Sequence, residues 1–432
     1  MCHVTPMAES PPLRWLYLDL NSYFASVEQQ LNPTIRGRPV VVAPVDTDAT
    51  SAIAASYEAK AFGIRTGTKI YEAKALCRDL VVVPGRHEEY VRFHHSIIAE
   101  VERHVPVTAV CSIDEVACRL LDNENGIAEV TALAARIKAG IRANVGECLT
   151  SSIGVAPNRL LAKMAADMQK PDGLTILEAG TLKARLSLLK LSDIPGVGRN
   201  MQRRLAAAGI VDMARLLDLD AREARTAWGS IWGERMHHLL KGEDLPEIPT
   251  ESRSIGHSHV LGPDRRHPDR ARLVTRRLLG KAATRLRRAD RRAGLLDLYI
   301  KGEGSREAKG PKWSGHVRLP QVMDTITLLL ALETLWTRMR AEFPASRYLQ
   351  VGVTLSDLAD ADAVQLNMFD RNAALDSGAE TRRLGLSRAL DKVNQRFGRD
   401  AVTIGHDAMG AGRSSGPRIA FTRIPEIAEF HE

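Results

Sequence analysis

The sequence has few cysteines and no long apolar run, and both absences restrict what the protein can be. Its five cysteines are odd in number, widely spaced and without a Cys-x-x-Cys pair. This argues against a disulfide framework or a structural zinc site and for a reducing compartment. No apolar run approaches the roughly 18 residues that span a bilayer, and the first residues lack the features of a secretory signal. We therefore expect a cytoplasmic protein that makes no membrane contact.

Acidic residues are scarce in one basic stretch. Residues 251–300 contain 13 Lys and Arg against 5 Asp and Glu, a surplus of eight that equals the net charge of the whole chain. A positive field of this density favours a polyanion such as nucleic acid. The alternative is a solvated helix face, but such faces usually interleave acids, and residues 270–288 contain none. The candidate phosphate contacts in this stretch are Arg265, Arg266, Arg276 and Arg277.

The order of predicted elements divides the 432 residues into about three or four domains. Strands alternating with helices over residues 14–176 predict an α/β or α+β layered domain. Residues 181–240 are helical with short loops, and the prolines in residues 243–250 predict an extended linker. Residues 254–357 predict a small α+β domain. A polar tail follows, with a short helix around residues 384–396.

Acidic residues stand at two points where an apolar run meets polar residues. Asp19 closes the run Trp15–Leu18, and Asp114 and Glu115 lie in a predicted strand over residues 107–121. Neighbouring carboxylates on a strand are unusual, because a half-buried strand points only one of two neighbours at the core. If the two strands are adjacent, these acids converge as a two-metal site for phosphoryl transfer requires. The alternative is a set of sheet-edge carboxylates that face water.

A glycine-containing turn between two predicted helices has the spacing of a helix-hairpin-helix. It runs from Ile194 to Gly198 and is followed by Leu205, Gly209 and Ile210. Amides at the start of the second helix can face a phosphate oxygen, which holds DNA without reading its sequence. A simple turn between helices is the alternative. The candidate DNA contacts here are Pro195, Gly196, Val197 and Gly198.

Several motifs in a fixed order resemble the Y-family translesion DNA polymerases, and the DNA polymerase IV type among them. The similarity extends to about residue 357, and no convincing exonuclease motif is present. Its motifs are Asp19–Glu28, Ser56–Arg65, Ser112–Glu115, Gly154–Lys163, Lys170–Gly173, the hairpin turn and Ser254–His257.

The resemblance implies an α+β multidomain fold, a right-hand polymerase with a palm, small fingers, a helix-hairpin-helix thumb and an α+β little finger. The expected boundaries are a mobile N-terminus at 1–13, the palm at 14–22 and 88–177, the fingers at 23–87, the thumb at 178–244, a linker at 245–253, the little finger at 254–357 and a C-terminal tail at 358–432.

The resemblance also implies two Mg²⁺ ions at the acids. Asp19 and Asp114 would bridge both ions, the Leu20 carbonyl would be a further ligand, and Glu115 would bind the catalytic ion. Hard cations take oxygen ligands of this kind. One ion would lower the pKa of the primer 3′-OH, and the other would neutralise charge on the leaving pyrophosphate.

Nucleotide contacts are implied for five residues around the acids. Two of them lie in a stretch with helical spacing over residues 54–62. Lys60 stands where the family usually has Arg, so a point charge replaces a bidentate fork. Ala54 stands where some relatives place a phosphate-contacting Thr. The five residues are Tyr23, Phe24, Tyr57, Lys60 and Lys170.

Phe24 occupies the family's steric-gate position. An aromatic ring there would leave no room for a 2′-hydroxyl, which separates RNA from DNA precursors; the alternative is a core aromatic. Small residues nearby, Ala52, Ala54, Ala55 and Gly67, suit a roomy pocket that discriminates weakly, although small residues also occur in any packed helix. Low fidelity and lesion bypass are the expected consequences.

A short apolar peptide in the polar tail resembles the segment with which bacterial polymerases bind the sliding clamp. Its side chains would fill apolar pockets on the clamp, while the flexible tether raises the effective concentration. The alternative is a segment that folds back on the body. The candidate clamp contacts are Gln365, Leu366, Met368 and Phe369.

The expected activity is template-directed DNA synthesis in the DNA damage response, by a monomer associated with the bacterial nucleoid. Its partners would be primer–template DNA, deoxynucleoside triphosphates and the clamp. Three rivals remain: a nucleotide cyclase, which needs neither the hairpin nor the basic domain, a DNA-binding scaffold, and a catalytically inert adaptor between the clamp and other polymerases. An inert adaptor would be expected to lose Asp19, Asp114 or Glu115.

Overall fold

The computed structural model describes most of the chain as two compact units. The first comprises residues 12–247 with Ile424, and the second comprises residues 248–405. In the part of the chain described, no helix has both the length and the apolarity to cross a membrane. The expected mobile segment at 1–13 lies outside the described residues except for its last two. The residues not described are 1–11, 46, 49, 249–250, 305–307, 309, 344, 363–372, 399–400, 406–423 and 425–432.

The first unit contains short strands interleaved with helices. Its strands are β1 (Trp15–Leu20), β2 (Val40–Ala43), β3 (Ala54–Ala55), β4 (Val81–Pro84), β5 (Val107–Val110), β6 (Glu115–Arg119), β7 (Ser151–Ala156) and β8 (Leu174–Ile176). Its helices are α1 (Tyr23–Leu31), α2 (Tyr57–Ala61), α3 (Ile70–Leu76), α4 (His87–Glu102), α5 (Ile127–Asn144), α6 (Arg159–Met168), α7 (Leu182–Leu186), α8 (Arg199–Ala207), α9 (Met213–Leu217), α10 (Ala221–Trp228) and α11 (Ile231–Leu240).

The strand β1 is the centre of a five-stranded sheet of order β5-β6-β1-β7-β8. It is antiparallel to both neighbours, and all its residues except Asp19 are buried. Leu16 and Leu18 belong to the core on one face, whereas Trp15 and Tyr17 belong to the core on the other. A strand covered on both faces has a nearly continuous apolar sequence, which explains the unbroken run that precedes Asp19.

The helix α6 lies directly on this sheet. The Asn158 side chain accepts a hydrogen bond from an amide in its first turn, 2.9 Å away, and so caps the helix. A Cβ atom on Gly154 of β7 would lie 2.0 Å from the Ala162 carbonyl oxygen of α6. Only glycine allows so close an approach, and the helix thereby brings Lys163 over the end of β1.

A smaller sheet of order β3-β2-β4 occupies residues 40–84. The predicted helix over residues 54–62 is wrong at its start, because Ala54 and Ala55 pair with β2 as the strand β3. The helix α2 begins only after Ser56, whose hydroxyl accepts a hydrogen bond from the Ala59 amide at 3.3 Å. A serine N-cap ends the strand and starts the helix within one residue.

The single strand predicted over residues 107–121 is also corrected. It is a hairpin of β5 and β6, and Asp114 lies in the turn between them rather than on a strand. Residues 182–240 are helical, as predicted. Leu205, Ile210, Met213 and Trp228 of this segment are buried in its core.

The second unit is an antiparallel sheet of order β11-β10-β12-β9 with helices packed against it. Alternate residues of β10, Leu296, Leu298 and Ile300, are fully buried, so one face of the sheet carries the core. Sequence reasoning missed β9 and β11. The elements are β9 (Ser254–Val260), α12 (Pro268–Arg288), β10 (Arg291–Gly302), β11 (Lys312–Val322), α13 (Thr325–Glu342), β12 (Tyr348–Asp360) and α14 (Ala373–Phe397).

The helix predicted around residues 384–396 is longer than expected and is packed onto the second unit. Leu384 contacts the core of this unit, and the Ser387 hydroxyl accepts a hydrogen bond from the Thr325 amide at 3.0 Å. Leu386 and Phe397 are exposed. The segment after β12 is therefore not uniformly a polar tail.

Candidate active site

The antiparallel pairing of β1 with β6 brings the acidic residues together. Asp19 is paired with Glu115 in the register of the two strands, and the Leu20 amide donates to the Asp114 carbonyl oxygen at 2.9 Å. The Ser112 hydroxyl donates to the Asp114 carboxylate at 2.5 Å. Because Asp114 lies in the turn, it and Glu115 are not forced onto opposite faces of a strand.

The electrostatics of Asp19 and Asp114 reflect their burial and proximity. Burial raises the pKa of Asp19 to about 6, the charge of Lys170 lowers it, and the charge of Asp114 raises it again. Burial also raises the pKa of Asp114, an effect that the hydrogen bond from Ser112 opposes and the charge of Glu115 reinforces. Both carboxylates thus carry negative charge that is costly without a nearby cation.

Lysine side chains compensate these carboxylates. The Lys170 ammonium lies 2.7 Å from Asp19 Oδ1 and 2.8 Å from Asp167 Oδ1. Burial lowers the pKa of Lys170, but the charges of the two aspartates outweigh it, so the pKa is raised. Lys170 is therefore a fixed positive charge beside Asp19.

The Glu115 carboxylate is paired with Lys163 and Tyr17 rather than placed beside Asp19 and Asp114. Lys163 of α6 forms an ion pair with its Oε1, and the Tyr17 hydroxyl donates to its Oε2 at 2.9 Å. Burial raises the pKa of Tyr17, so this hydroxyl stays protonated as a donor. Sequence reasoning missed Tyr17 and Lys163 because only the fold brings them to Glu115.

The acidic site suits a hard divalent cation in its chemistry. Its candidate ligands are carboxylate and carbonyl oxygens, which Mg²⁺ prefers, and the two partly buried carboxylates repel each other. Across the described residues, however, no group of three or more His, Cys, Asp or Glu side chains is arranged to hold a metal ion. Asp19 and Asp114 are together, whereas Glu115 must leave Lys163 to join them.

The nucleotide-binding candidates lie around the same acids. The Lys60 ammonium is 2.7 Å from the Ser22 hydroxyl oxygen and 4.1 Å from the centre of the Tyr57 ring. Burial and then the charge of Lys170 lower the pKa of Lys60. Burial raises the pKa of Tyr57, and the charges of Lys170 and Asp19 act on it as well. Tyr57, Lys60 and Lys170 therefore form one cationic and aromatic group.

Ser22 is a site residue that sequence reasoning missed. It connects β1 to α1 and has a φ of 49°, in the left-handed region. A non-glycine residue with this backbone conformation is uncommon and strained. The sharp turn places Asp19 and Phe24 on either side of Ser22, whose hydroxyl bonds Lys60.

Phe24 is supported by a second aromatic ring. It stacks on Tyr90 with 4.3 Å between ring centres and an angle of 14°. The Tyr90 hydroxyl donates to Glu28 at 2.7 Å, and Glu28 also forms an ion pair with Arg86. The Tyr23 hydroxyl donates to the Tyr90 carbonyl at 2.6 Å, inside the fold. The ring of Phe24 is therefore fixed from below.

The hairpin turn has the backbone form that its glycines predict. Gly196 has a φ of 89°, and the Val197 amide donates to the Ile194 carbonyl at 3.0 Å. Ile194 and Val197 are buried. Gly198 precedes α8 and provides no side-chain cap, so the first amides of α8 are not satisfied by a capping side chain at this position.

Two of the four candidate arginines of the second unit form ion pairs with acids that are distant along the chain. Arg266 forms an ion pair with Glu303, and Arg276 forms one with Glu333. Each of these side chains is about four-fifths buried, at 20% and 23% exposure. They contribute less free positive charge than the sequence alone implies.

The other two candidates, Arg265 and Arg277, lie near His259 of the edge strand β9, and Arg265 is also 3.5 Å from Asp264. Burial lowers the pKa of His259, and the positive charges of Arg265, Lys281 and Arg277 lower it further. Burial and then Arg285 lower the pKa of His257 in the same strand. Positive charge is therefore concentrated next to β9. The clamp-binding candidates at 365–369 lie outside the described residues.

Two family profiles match this chain. The impB/mucB/samB family matches residues 18–167, and its C-terminal domain matches residues 252–368. The DNA polymerase IV of Moorella thermoacetica is 33% identical over 407 residues, covering 92% of this chain and 96% of the relative. The DNA polymerase IV of Stenotrophomonas maltophilia is 32% identical over 365 residues, covering 82% and 96%.

Solved structures share the fold at lower sequence identity. A Y-family DNA polymerase chimera of Dbh and Dpo4 superposes with a TM-score of 0.65 at 22% identity, covering 80% of this chain and 99% of the chimera. A Dbh ternary complex has a TM-score of 0.51 at 23% identity, with the same two coverages. These likenesses agree with the predicted right-hand polymerase architecture.

Proposed function

Since the chain belongs to the DNA polymerase IV group of Y-family DNA polymerases, we propose that it extends a DNA primer on a template by two-metal nucleotidyl transfer, past damaged bases. The observation that supports this most is the meeting of Asp19 and Asp114 beside Lys170. An inert adaptor would have no need to keep two partly buried carboxylates that repel each other. A cyclase would not need the hairpin or the basic unit.

The acids would hold two Mg²⁺ ions, with Asp19 and Asp114 as shared ligands, the Leu20 carbonyl as a further ligand and Glu115 on the catalytic ion. When bound, such ions lower the pKa of the primer 3′-OH and stabilise charge on the departing pyrophosphate. Glu115 exchanges its ion pair with Lys163 for this role, and Tyr17 continues to orient its other oxygen.

The triphosphate is bound by the cationic and aromatic group. Lys170 turns from Asp19 towards a phosphate oxygen once that carboxylate is otherwise compensated. Lys60 and Tyr57 approach the triphosphate from α2, with Ser22 holding the Lys60 ammonium. Cations placed here stabilise charge on the transferring phosphoryl group, and the reactants are held in line for attack.

Phe24 acts as the steric gate against ribonucleotides. Its ring is backed by Tyr90, so it cannot retreat when a 2′-hydroxyl presses on it. The Glu28 carboxylate fixes Tyr90 through its hydroxyl. A purely structural role for Phe24 as a core aromatic would show the same packing. Measuring the discrimination against ribonucleotides in Phe24→Ala distinguishes the two roles.

We assign the palm to residues 14–22 and 88–177, the fingers to 23–87, the thumb to 178–244 and the little finger to 254–357. The hairpin at 195–198 and the positive group beside β9 contact the phosphates of primer–template DNA. The peptide at 365–369 binds the sliding clamp, and the enzyme acts as a monomer in the damage response. Low fidelity follows from the small residues around Ala54.

Primer extension with Mg²⁺ tests the proposal on plain and lesion-bearing templates. The parent is expected to extend both, and Asp114→Ala is expected to lose at least about 1,000-fold in rate, or about 4 kcal/mol of transition-state stabilisation. The matched control is Asp122→Ala, an exposed aspartate, which should match the parent. A parent that binds DNA and clamp without any synthesis would instead support the adaptor.

A further inference from the structure

The helix α14 sorts its charges between two faces. In residues 378–397, where its side chains are described, both carboxylates face the body of the second unit: Asp391 pairs with Arg287 and Glu380 pairs with Arg292. Neither carboxylate is among the exposed residues, and no other acid occurs between residues 378 and 397. Over residues 378–397 the inward face is thus neutralised by ion pairs, and the outward face carries no exposed negative charge.

The outward face carries a stripe of positive charge, formed by Arg382, Arg388, Lys392 and Arg396, all exposed. The last three are spaced by four residues, so they share one side of the helix. Of the four, the first three form no ion pair with any residue that the structure describes. The Arg396 guanidinium lies 5.4 Å from the centre of the exposed Phe397 ring.

We propose that this stripe, residues 382, 388, 392 and 396, binds the phosphates of nucleic acid. Like charges four residues apart destabilise a helix, and a polyanion removes that repulsion. Four residues rise about 6 Å along a helix, so neighbouring side chains can reach successive backbone phosphates. The binding is independent of base sequence, because the contacts are to phosphate alone.

Nucleic acid fits this face better than an acidic protein does. Protein interfaces have an apolar centre with aromatic anchors. Leu386 and Phe397 are the exposed large apolar residues of the described part of α14, and they are eleven positions apart, about 16 Å along the helix. The stripe also lies past residue 368, where the match to the family's C-terminal domain ends.

The salt dependence of DNA binding tests the proposal. Fluorescence anisotropy is measured with a primer–template of about 40 base pairs, without nucleotide, between about 50 and 300 mM NaCl. The variant Arg388→Gln/Lys392→Gln is expected to bind about tenfold more weakly at about 100 mM salt. The slope of log affinity against log salt should fall by about 2, since each lost phosphate contact removes about 0.9. Two unrelated DNA sequences should show the same change.

Two further variants make the result decisive, with thermal melting to verify that each is folded. The charge-preserving Arg388→Lys/Lys392→Arg should bind as the parent does. The control Arg78→Gln/Arg136→Gln removes two exposed charges from the first unit and should leave the slope unchanged. An unchanged slope in the Arg388→Gln/Lys392→Gln variant would overturn the proposal. So would weaker binding to the sliding clamp with unaltered DNA affinity, since the stripe would then bind a protein.

Discussion

The acidic site of the first unit and the second unit both contain partly buried ion pairs, but the cations in those pairs differ in kind. In the first unit, lysines compensate the carboxylates of Asp19 and Glu115. In the second, arginines pair with acids, as when Arg287 donates two hydrogen bonds of 2.7 and 2.8 Å to Asp391. An ammonium is a point charge on a flexible stem, whereas a guanidinium is a rigid fork. The lysine pairs can be exchanged for substrate, and the arginine pairs hold elements together.

The pKa values of the acids follow the same division. Burial raises the pKa of Asp19 to about 6 despite Lys170. In the second unit, the hydrogen bond from Arg347 holds the pKa of Glu303 below its ordinary value, and Arg266 adds to this. Carboxylates that accept hydrogen bonds from a guanidinium are stabilised as anions. Those at the acidic site still need positive charge from outside the chain.

The largest expected effect on stability is in the second unit. The Arg287 side chain is 6% exposed, so Arg287→Met leaves Asp391 without its partner and should cost about 3 kcal/mol of stability. Hydrogen exchange of residues 325–342 measures this unit separately. The control Arg272→Met removes a pair that is 46% exposed on the arginine side and should cost under about 1 kcal/mol. Equal losses in both variants would contradict the structural role of Arg287.

The next effect concerns function rather than stability. Lys170→Met should lower the efficiency of nucleotide incorporation about 100-fold, or about 2.7 kcal/mol, because a cation next to the transferring phosphoryl is lost. Stability should fall by less than in Arg287→Met, because the Lys170 side chain is 28% exposed and its pair with Asp19 is better screened by solvent. Lys183→Met is the matched control, since Lys183 also lies 2.7 Å from an aspartate but is exposed. A stability loss as large as that of Arg287→Met would remove the distinction between the two units.

The smallest expected effect is a gain in stability. The folded pKa of Asp19 is about 6 against an ordinary 3.8, so the folded state keeps a proton between about pH 4 and 6 that the unfolded state has lost. Stability from this group therefore falls as pH rises through that window. This pKa shift corresponds to about 3 kcal/mol at about pH 7.5. Asp19→Asn should recover about 2 kcal/mol of it, because the partly buried amide is itself costly, as measured by urea unfolding with a chelator.

The gain from Asp19→Asn should vanish below about pH 3, where the parent carboxyl is protonated in both states. Asp122→Asn, at an exposed position, should show no pH-dependent difference. A variant that is less stable than the parent at neutral pH would mean that the ion pair with Lys170 outweighs the cost of burial.

Local patterns predicted much of the fold, and they singled out the acids that the pairing of β1 with β6 brings together. The unbroken apolar run before Asp19 and the glycines of the hairpin are signals that lie within a few residues. The strand through Asp114 was predicted wrongly because the turn at residues 111–114 is short. The apolar residues on either side of it therefore read as one continuous strand. A periodicity cannot distinguish one strand from a hairpin with so short a connection.

Contacts between distant residues account for what the sequence did not predict. The absence of acids in residues 270–288 indicated free positive charge, yet Arg272 and Arg276 pair with Glu333 of the next helix. Tyr90 is 66 positions from Phe24 and stacks on it. Packing of helices against sheets determines such partners, and no spacing along one element encodes them.

Gly154 has a consequence that reaches beyond its own strand. The helix α6 packs directly against the backbone of β7 at this glycine. The distance between the helix and the sheet is therefore determined by the absence of a side chain at Gly154. A single added methyl group would lift α6 and move Lys163 and the start of the loop to Lys170 away from the carboxylates. The positions of both lysines therefore depend on the absence of a side chain at Gly154.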